Sequence, residues 1–122
     1  MTHLDLYDNQ LTDVESLENL TKLTSLGIGG HKLTDVNLEK LTQLTYLWLD
    51  GNQLTDVKGL EKLTKLTHLY LRNNQLIDVK SLEKLTQLTE LGLNNNPDLT
   101  KAQIAELQKA LPNCKILHNA TK

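Results

Sequence analysis

The sequence predicts an α/β solenoid, in which short strands and tight return segments stack as repeats and a helical unit closes the C-terminal end. Three observations carry that expectation. Leucine supplies 29 of the 122 residues, whereas phenylalanine is absent and the only aromatics are Tyr7, Tyr46, Trp48 and Tyr70. An irregular core mixes Leu with Phe, Ile and Val to fill uneven space, so so much leucine points to one packing environment used many times. The Leu-x-Leu pairs at Leu4/Leu6, Leu26/Ile28, Leu47/Leu49, Leu69/Leu71 and Leu91/Leu93 recur at steps of 22, 21, 22 and 22 residues. After residue 99 the pattern changes to a helical one.

Within a unit the apolar spacing switches. Leu82, Leu85, Leu88 and Leu91 stand three apart, then Leu91 and Leu93 two apart. Spacing by three keeps one side inward in a 3₁₀-like or extended coil, and spacing by two is a short strand with one buried face. No single unit can bury its own leucines, so neighbours must stack.

The phrase Leu44-x-x-Leu47-x-Leu49-x-x-Asn52-x-Leu54, repeated as Leu66-x-x-Leu69-x-Leu71-x-x-Asn74-x-Leu76, resembles the leucine-rich repeat family. The 22-residue unit with its Asp-Val return is similar to the internalin-like bacterial class. The resemblance covers residues 1–99 as five repeats. It implies a right-handed arc with a concave parallel sheet of about six short strands, a 3₁₀ or coil convex side, and protein binding on the concave face. It also implies that the turn asparagines Asn9, Asn52, Asn74 and Asn96 bond neighbouring backbone as a ladder.

Residues 100–122 read as a C-terminal cap. Thr100-Lys101-Ala102-Gln103 has capping-box spacing, Ile104, Leu107 and Leu111 give an apolar stripe, and Pro112 stops the helix, which is expected over about 101–111. Leu111-x-x-Cys114-x-Ile116 repeats the strand spacing, so a last strand is expected over about 114–117, with Cys114 as a small reduced hydrophobe in a strand-leucine slot. The N-terminus shows no equivalent cap. An open solenoid end exposes a strand edge and core leucines, which predicts either a longer parent that supplies a cap or a homodimer through that end.

Composition excludes other classes. Thirteen basic against fifteen acidic residues give a net charge of −2, with no basic run to attract nucleic acid. No apolar stretch reaches the roughly 18–20 residues of a membrane span, and Met1-Thr2-His3-Leu4-Asp5 lacks a signal-peptide pattern. A single cysteine makes no internal disulfide and no zinc site by itself. The cytosol is the expected compartment, unless the chain is part of an exported protein. Neither cofactor nor metal is expected.

The units differ where side chains point away from the core. Before the first strand leucine stand His3, Ser25, Tyr46, His68 and Glu90. Between the paired leucines stand Asp5, Gly27, Trp48, Tyr70 and Gly92, with Lys115 extending the row. After the second leucine come Tyr7, Gly29, Asp50, Arg72 and Asn94. Strand side chains alternate faces, so all three rows project from one surface. At about 4.8 Å between strands, Tyr46 should meet His68, Trp48 meet Tyr70, and Asp50 meet Arg72. The glycines on either side predict a flat aromatic ridge with a shallow depression at each flank. Aromatics and arginine dominate binding energy at interfaces. Cross-strand aromatic pairs can instead simply stabilise a sheet, by roughly 0.2–1 kcal/mol each, but that role predicts pairing in every unit, and it is confined to two. The return segments, by contrast, barely vary, and their alternating Glu-Lys steps read as solvated surface.

Unit two departs most from the repeat. It is one residue short at Val36-Asn37-Leu38, carries His31 in the asparagine position, and has Gly29-Gly30 beside it. It is expected to be the loosest unit, which hydrogen exchange would refute by showing its amides as protected as those of unit four.

The function expected is a non-catalytic interaction module for a protein or peptide partner, through Asp5, Tyr7, Tyr46, Trp48, Asp50, His68, Tyr70 and Arg72. One alternative is a carbohydrate surface using Trp48 and Tyr70 with Asp50, Arg72, Asn73 and Asn94. Another is a structural, self-associating solenoid segment. Catalysis finds little support. His3 and His68 lie three strands apart, about 14 Å. No histidine accompanies Cys114, and no phosphate loop or close carboxylate pair occurs. The His3, Asp5 and Tyr7 group reads as a solvated strand face, and His118 gives no signal.

Overall fold

The computed structural model describes residues 2–5, 19–30, 33–34 and 38–121. Six three-residue strands form one sheet: β1 His3–Asp5, β2 Ser25–Gly27, β3 Tyr46–Trp48, β4 His68–Tyr70, β5 Glu90–Gly92 and β6 Lys115–Leu117. They are parallel and lie in chain order from β1 to β6, each strand bonded to its sequence neighbours. The result is a leucine-rich repeat arc.

Each strand turns its middle residue inward, a leucine in β1 to β5 and Ile116 in β6. Leu26, Leu47, Leu69 and Leu91 are fully buried mid-strand residues in register with one another. Ile28, Leu49, Leu71 and Leu93 follow just past the strands and complete the inward layer. The opposite layer comes from the leucines spaced by three. Their amides close successive i→i+3 turns, Leu60 to Val57, Leu63 to Leu60 and Leu66 to Leu63, and again Leu82 to Val79, Leu85 to Leu82 and Leu88 to Leu85. Those turns tighten into short 3₁₀ helices at Lys58–Leu60 and Lys80–Lys84. A three-residue turn returns the same side inward at each step, so every third residue is buried, and these are the leucines.

Two ladders join the units. Asn52, Asn74 and Asn96 are buried, and each amide nitrogen donates to the carbonyls just past the strands of its own and the preceding unit. For Asn74 these are Leu71 O at 3.1 Å and Leu49 O at 3.0 Å, while its Oδ1 accepts from Leu54 N at 3.1 Å. The second ladder was not anticipated. The hydroxyls of Thr45, Thr67 and Thr89 donate to the carbonyls of Thr24, Thr45 and Thr67 at 3.0–3.1 Å. The recurring threonine before each strand (LTYL, LTHL, LTEL) was its signal in the sequence. Just before the asparagine position the backbone takes a left-handed φ in every described unit, at Gly30, Gly51, Asn73 and Asn95. Only glycine and, less readily, asparagine adopt that region at little cost.

The C-terminal unit holds α1, Lys101–Ala110, whose Thr100 side chain accepts from Gln103 N while Gln103 Oε1 accepts from Thr100 N. Ile104 and Leu107 face the core, and Gln103 Nε2 ties the helix to Ile77 O at 2.8 Å. The last strand sits two residues away from the expected register: Lys115 pairs with Glu90, Ile116 with Leu91, and Leu117 rather than Lys115 with Gly92. Cys114 is buried, but it occupies the turn before the strand, its amide reaching Leu111 O as Leu88's reaches Leu85 O. The helix lengthens this unit to 25 residues, and the leucine-like spacing thereby falls across the turn instead of the strand.

Candidate functional site

The alternation that buries the mid-strand leucines throws their neighbours onto the concave face. Register places Tyr46 beside His68 and Trp48 beside Tyr70. The rings of Tyr46 and His68 lie 4.3 Å apart and 8° from parallel, those of Trp48 and Tyr70 6.0 Å and 12°, and Tyr46 and Trp48 5.7 Å and 23°. Tyr46 and His68 lie within the strand spacing and overlap face to face, while the near-parallel rings of the other two pairs are offset, so the rings stand up from their strands. The expected flat patch is therefore corrected to a stack. Tyr46 is 38% exposed, the most of the four, and the other three are half-buried.

Side chains and backbone hold the stack in place. Thr67 Oγ1 gives its one proton to Thr45 O and lies 2.9 Å from His68 Nδ1, which assigns the Nδ1–H tautomer to the neutral imidazole. The Tyr70 hydroxyl donates to Glu90 Oε2 at 3.1 Å, and the Arg72 guanidinium lies 5.3 Å over the Tyr70 ring. Burial first, then the hydrogen bond and charge of Glu90, push the Tyr70 phenol above its ordinary 10. Asp50 receives three bonds from Arg72: from its backbone N at 2.7 Å, Nη2 at 2.9 Å and Nε at 3.4 Å. This forked pair fixes the border of the stack with more geometric definition than an ordinary surface ion pair.

The two flanks differ. Beyond Trp48 a depression of about 380 Å³ is lined by His3, Leu4, Asp5, Ser25, Gly27 and Trp48. Beyond Tyr70 the second expected depression is filled. A Cβ on Gly92 would stand 3.1 Å from Tyr70 Cδ1 and 3.4 Å from Arg72 Cγ, so ring and stem lie across the bare glycine. Strand pairing alone does not tell which way a side chain leans, and that lean decides which glycine is covered.

The structure thus brings Tyr46, Trp48, Asp50, His68, Tyr70 and Arg72 together. Asp5 stands apart on β1, across the depression, and Tyr7, His31 and Val36-Asn37 lie outside the described residues. Glu90 and Gly92, named in the rows but not among the candidate contacts, join the face through Tyr70, and Leu117 joins it beside Gly92. Glu90 could have been found from its place diagonal to Tyr70 in the rows. Among the described residues no group of three or more potential metal ligands occurs, and no helix is long and apolar enough to cross a membrane.

Comparison with known proteins follows the geometry. The family model described as Leucine Rich repeats (2 copies) matches residues 1–40, 42–84 and 64–109. An internalin (inlF) of Listeria monocytogenes superposes with a TM-score of 0.86 at 39% identity, covering 95% of this chain and 35% of that one. A leucine-rich repeat protein of Leptospira interrogans gives 0.84 at 33%, covering 93% and 30%. An internalin C2 (inlC2) of Listeria monocytogenes, at 21% identity and 0.60, covers 99% and 74% and shares the fold. The chain spans about a third of the length of the first two. No match is found among curated proteins. Repeats of this fold commonly serve as protein–protein interaction modules. The chain belongs to the leucine-rich repeat family, and its repeats are of the internalin-like bacterial type.

Proposed function

We propose that this chain is a non-catalytic interaction module that docks a segment of a protein partner across its concave sheet, centred on Tyr46, Trp48, His68 and Tyr70. The observation that carries this reading is the confinement of the ring stack to β3 and β4, on the one face whose residues differ between units. Packing alone does not call for it, because the core is completed by leucines on the other side. Large rings held by bonded neighbours lose little further freedom on binding, which is what makes Tyr, Trp and Arg effective anchors.

The test is an unbiased peptide-display selection against the whole chain, followed by affinity measurement on three variants. Trp48→Ala and Tyr70→Ala should each weaken the selected ligands by about 2 kcal/mol or more. Gln87→Ala, exposed on the return side, should leave them unchanged. Ligands indifferent to the Trp48/Tyr70 double variant would place the interaction elsewhere.

A further inference from the structure

The stack has one closed end and one open end. At the closed end Arg72 lies over Tyr70, and Tyr70 and Arg72 lie across Gly92. At the open end Trp48 borders Gly27, which contributes no side chain, and beyond it lies the depression of about 380 Å³. Asp5 pairs with Gly27, and Gly27 with Trp48, so carboxylate and indole stand on strands two steps apart with a glycine between them. Two steps are about 9.6 Å. A cation is attracted to an indole within about 6 Å of the ring centroid and to a carboxylate within about 4 Å. Those two reaches together span the gap.

We propose that the depression between Asp5 and Trp48 receives a lysine or arginine side chain of a protein partner, with the ammonium or guanidinium held between carboxylate and indole. This rests on the reading that a partner docks on the concave face, and it names what that partner must present. Charge complementarity selects the occupant, since Asp5 is the one carboxylate among the lining residues His3, Leu4, Asp5, Ser25, Gly27 and Trp48, and neither lysine nor arginine is among them. An aliphatic occupant would cover the indole equally well, but it would strip water from the carboxylate and return nothing to it. A long cationic side chain lays its methylenes along the apolar floor at Gly27 and keeps its charge near Asp5.

Trp48, the sole tryptophan, reports occupancy directly. The experiment titrates the whole chain with acetyl-Gly-Gly-X-Gly-Gly-amide peptides, where X is lysine, arginine or the uncharged isostere norleucine, and with maltohexaose. The lysine and arginine peptides should change Trp48 emission saturably, about 10-fold more tightly than norleucine. Asp5→Asn, at an exposed strand position, should remove that preference and leave the norleucine response as it was. Equal or tighter binding of norleucine overturns the proposal, as does a cationic preference that survives Asp5→Asn, or no saturable response to lysine or arginine up to about 10 mM. Tighter binding of maltohexaose would give the depression to a neutral sugar and also overturn it. The display-selected ligands separate this idea from its foundation. If Trp48→Ala and Tyr70→Ala weaken them while Asp5→Asn does not, the concave face stands and the cation pocket falls. If none of the three matters, both fall.

Discussion

Asn74 illustrates how much a single side chain can carry in a repeat. Its amide satisfies the carbonyls that follow the strands of two units, and its Oδ1 takes the Leu54 N–H, all away from water. Asn74→Ala leaves those groups unpaired in the core, and each buried orphan costs roughly 1–3 kcal/mol. Urea unfolding should therefore show a loss of about 3 kcal/mol, whereas Asn73→Gly beside it, at a left-handed position, should be close to neutral. Gly92 acts by what it lacks. Gly92→Ala brings a Cβ within 3.1 Å of Tyr70, so the ring must move while the backbone need not. Near-UV circular dichroism should change with the far-UV spectrum preserved. Cys114 gives a pH signature. Burial, with the charge of Glu90 adding to it, pushes its thiol up to about 11 from 9.0. Between those values the unfolded chain has released the proton that the folded one retains, so stability falls as pH climbs from about 9 to 11. Cys114→Ser should flatten that decline in pH-dependent melting. The asparagine ladder was legible from the repeat. The bonds of Tyr70 to Glu90 and of Arg72 to Asp50's second oxygen were not, because they depend on rotamers that strand periodicity leaves open.

At the scale of elements, the return segments were the most legible part of the chain. Three-residue leucine spacing translates directly into i→i+3 turns, and it needs no tertiary information to do so. The terminal helix was equally plain, since Thr100 and Gln103 form a reciprocal cap whose logic is entirely local. Thr100→Ala should cost about 1 kcal/mol, read as an earlier loss of the 222 nm signal on heating. The strand that follows lies where it was expected, but its pairing differs by two residues, and the cause is physical. Register there is set by where the turn from Leu111 to Cys114 delivers the chain to β5, and not by the spacing of apolar residues. That turn is as long as the one from Leu85 to Leu88, but Cys114 stands two residues before the inward Ile116 where Leu88 stands three before Leu91, and the resulting two-residue change of pairing keeps the inward face. That is why Cys114 is buried as expected and yet stands opposite the wrong neighbour.

The whole molecule was legible because it says the same thing five times. Each unit fails alone and succeeds beside its neighbour, so periodicity in the sequence is already a statement about tertiary structure. The face was half legible. Which side chains share it follows from alternation, whereas the upright stacking of the rings and the filling of one flank follow from the strand spacing and the lean of Tyr70 over Gly92. The order β1 to β6 has a mechanical consequence. Tension applied at the two termini acts along the stacking axis, across the inter-strand bonds and not along the strands, so the load falls on one seam at a time. Peeling off a 22-residue unit frees about 75 Å of chain at roughly 3.4 Å per residue. In an optical trap the chain should lengthen in low-force steps of nearly that size, like a zip-fastener opened tooth by tooth, and a single large rip would mean that the seams yield together.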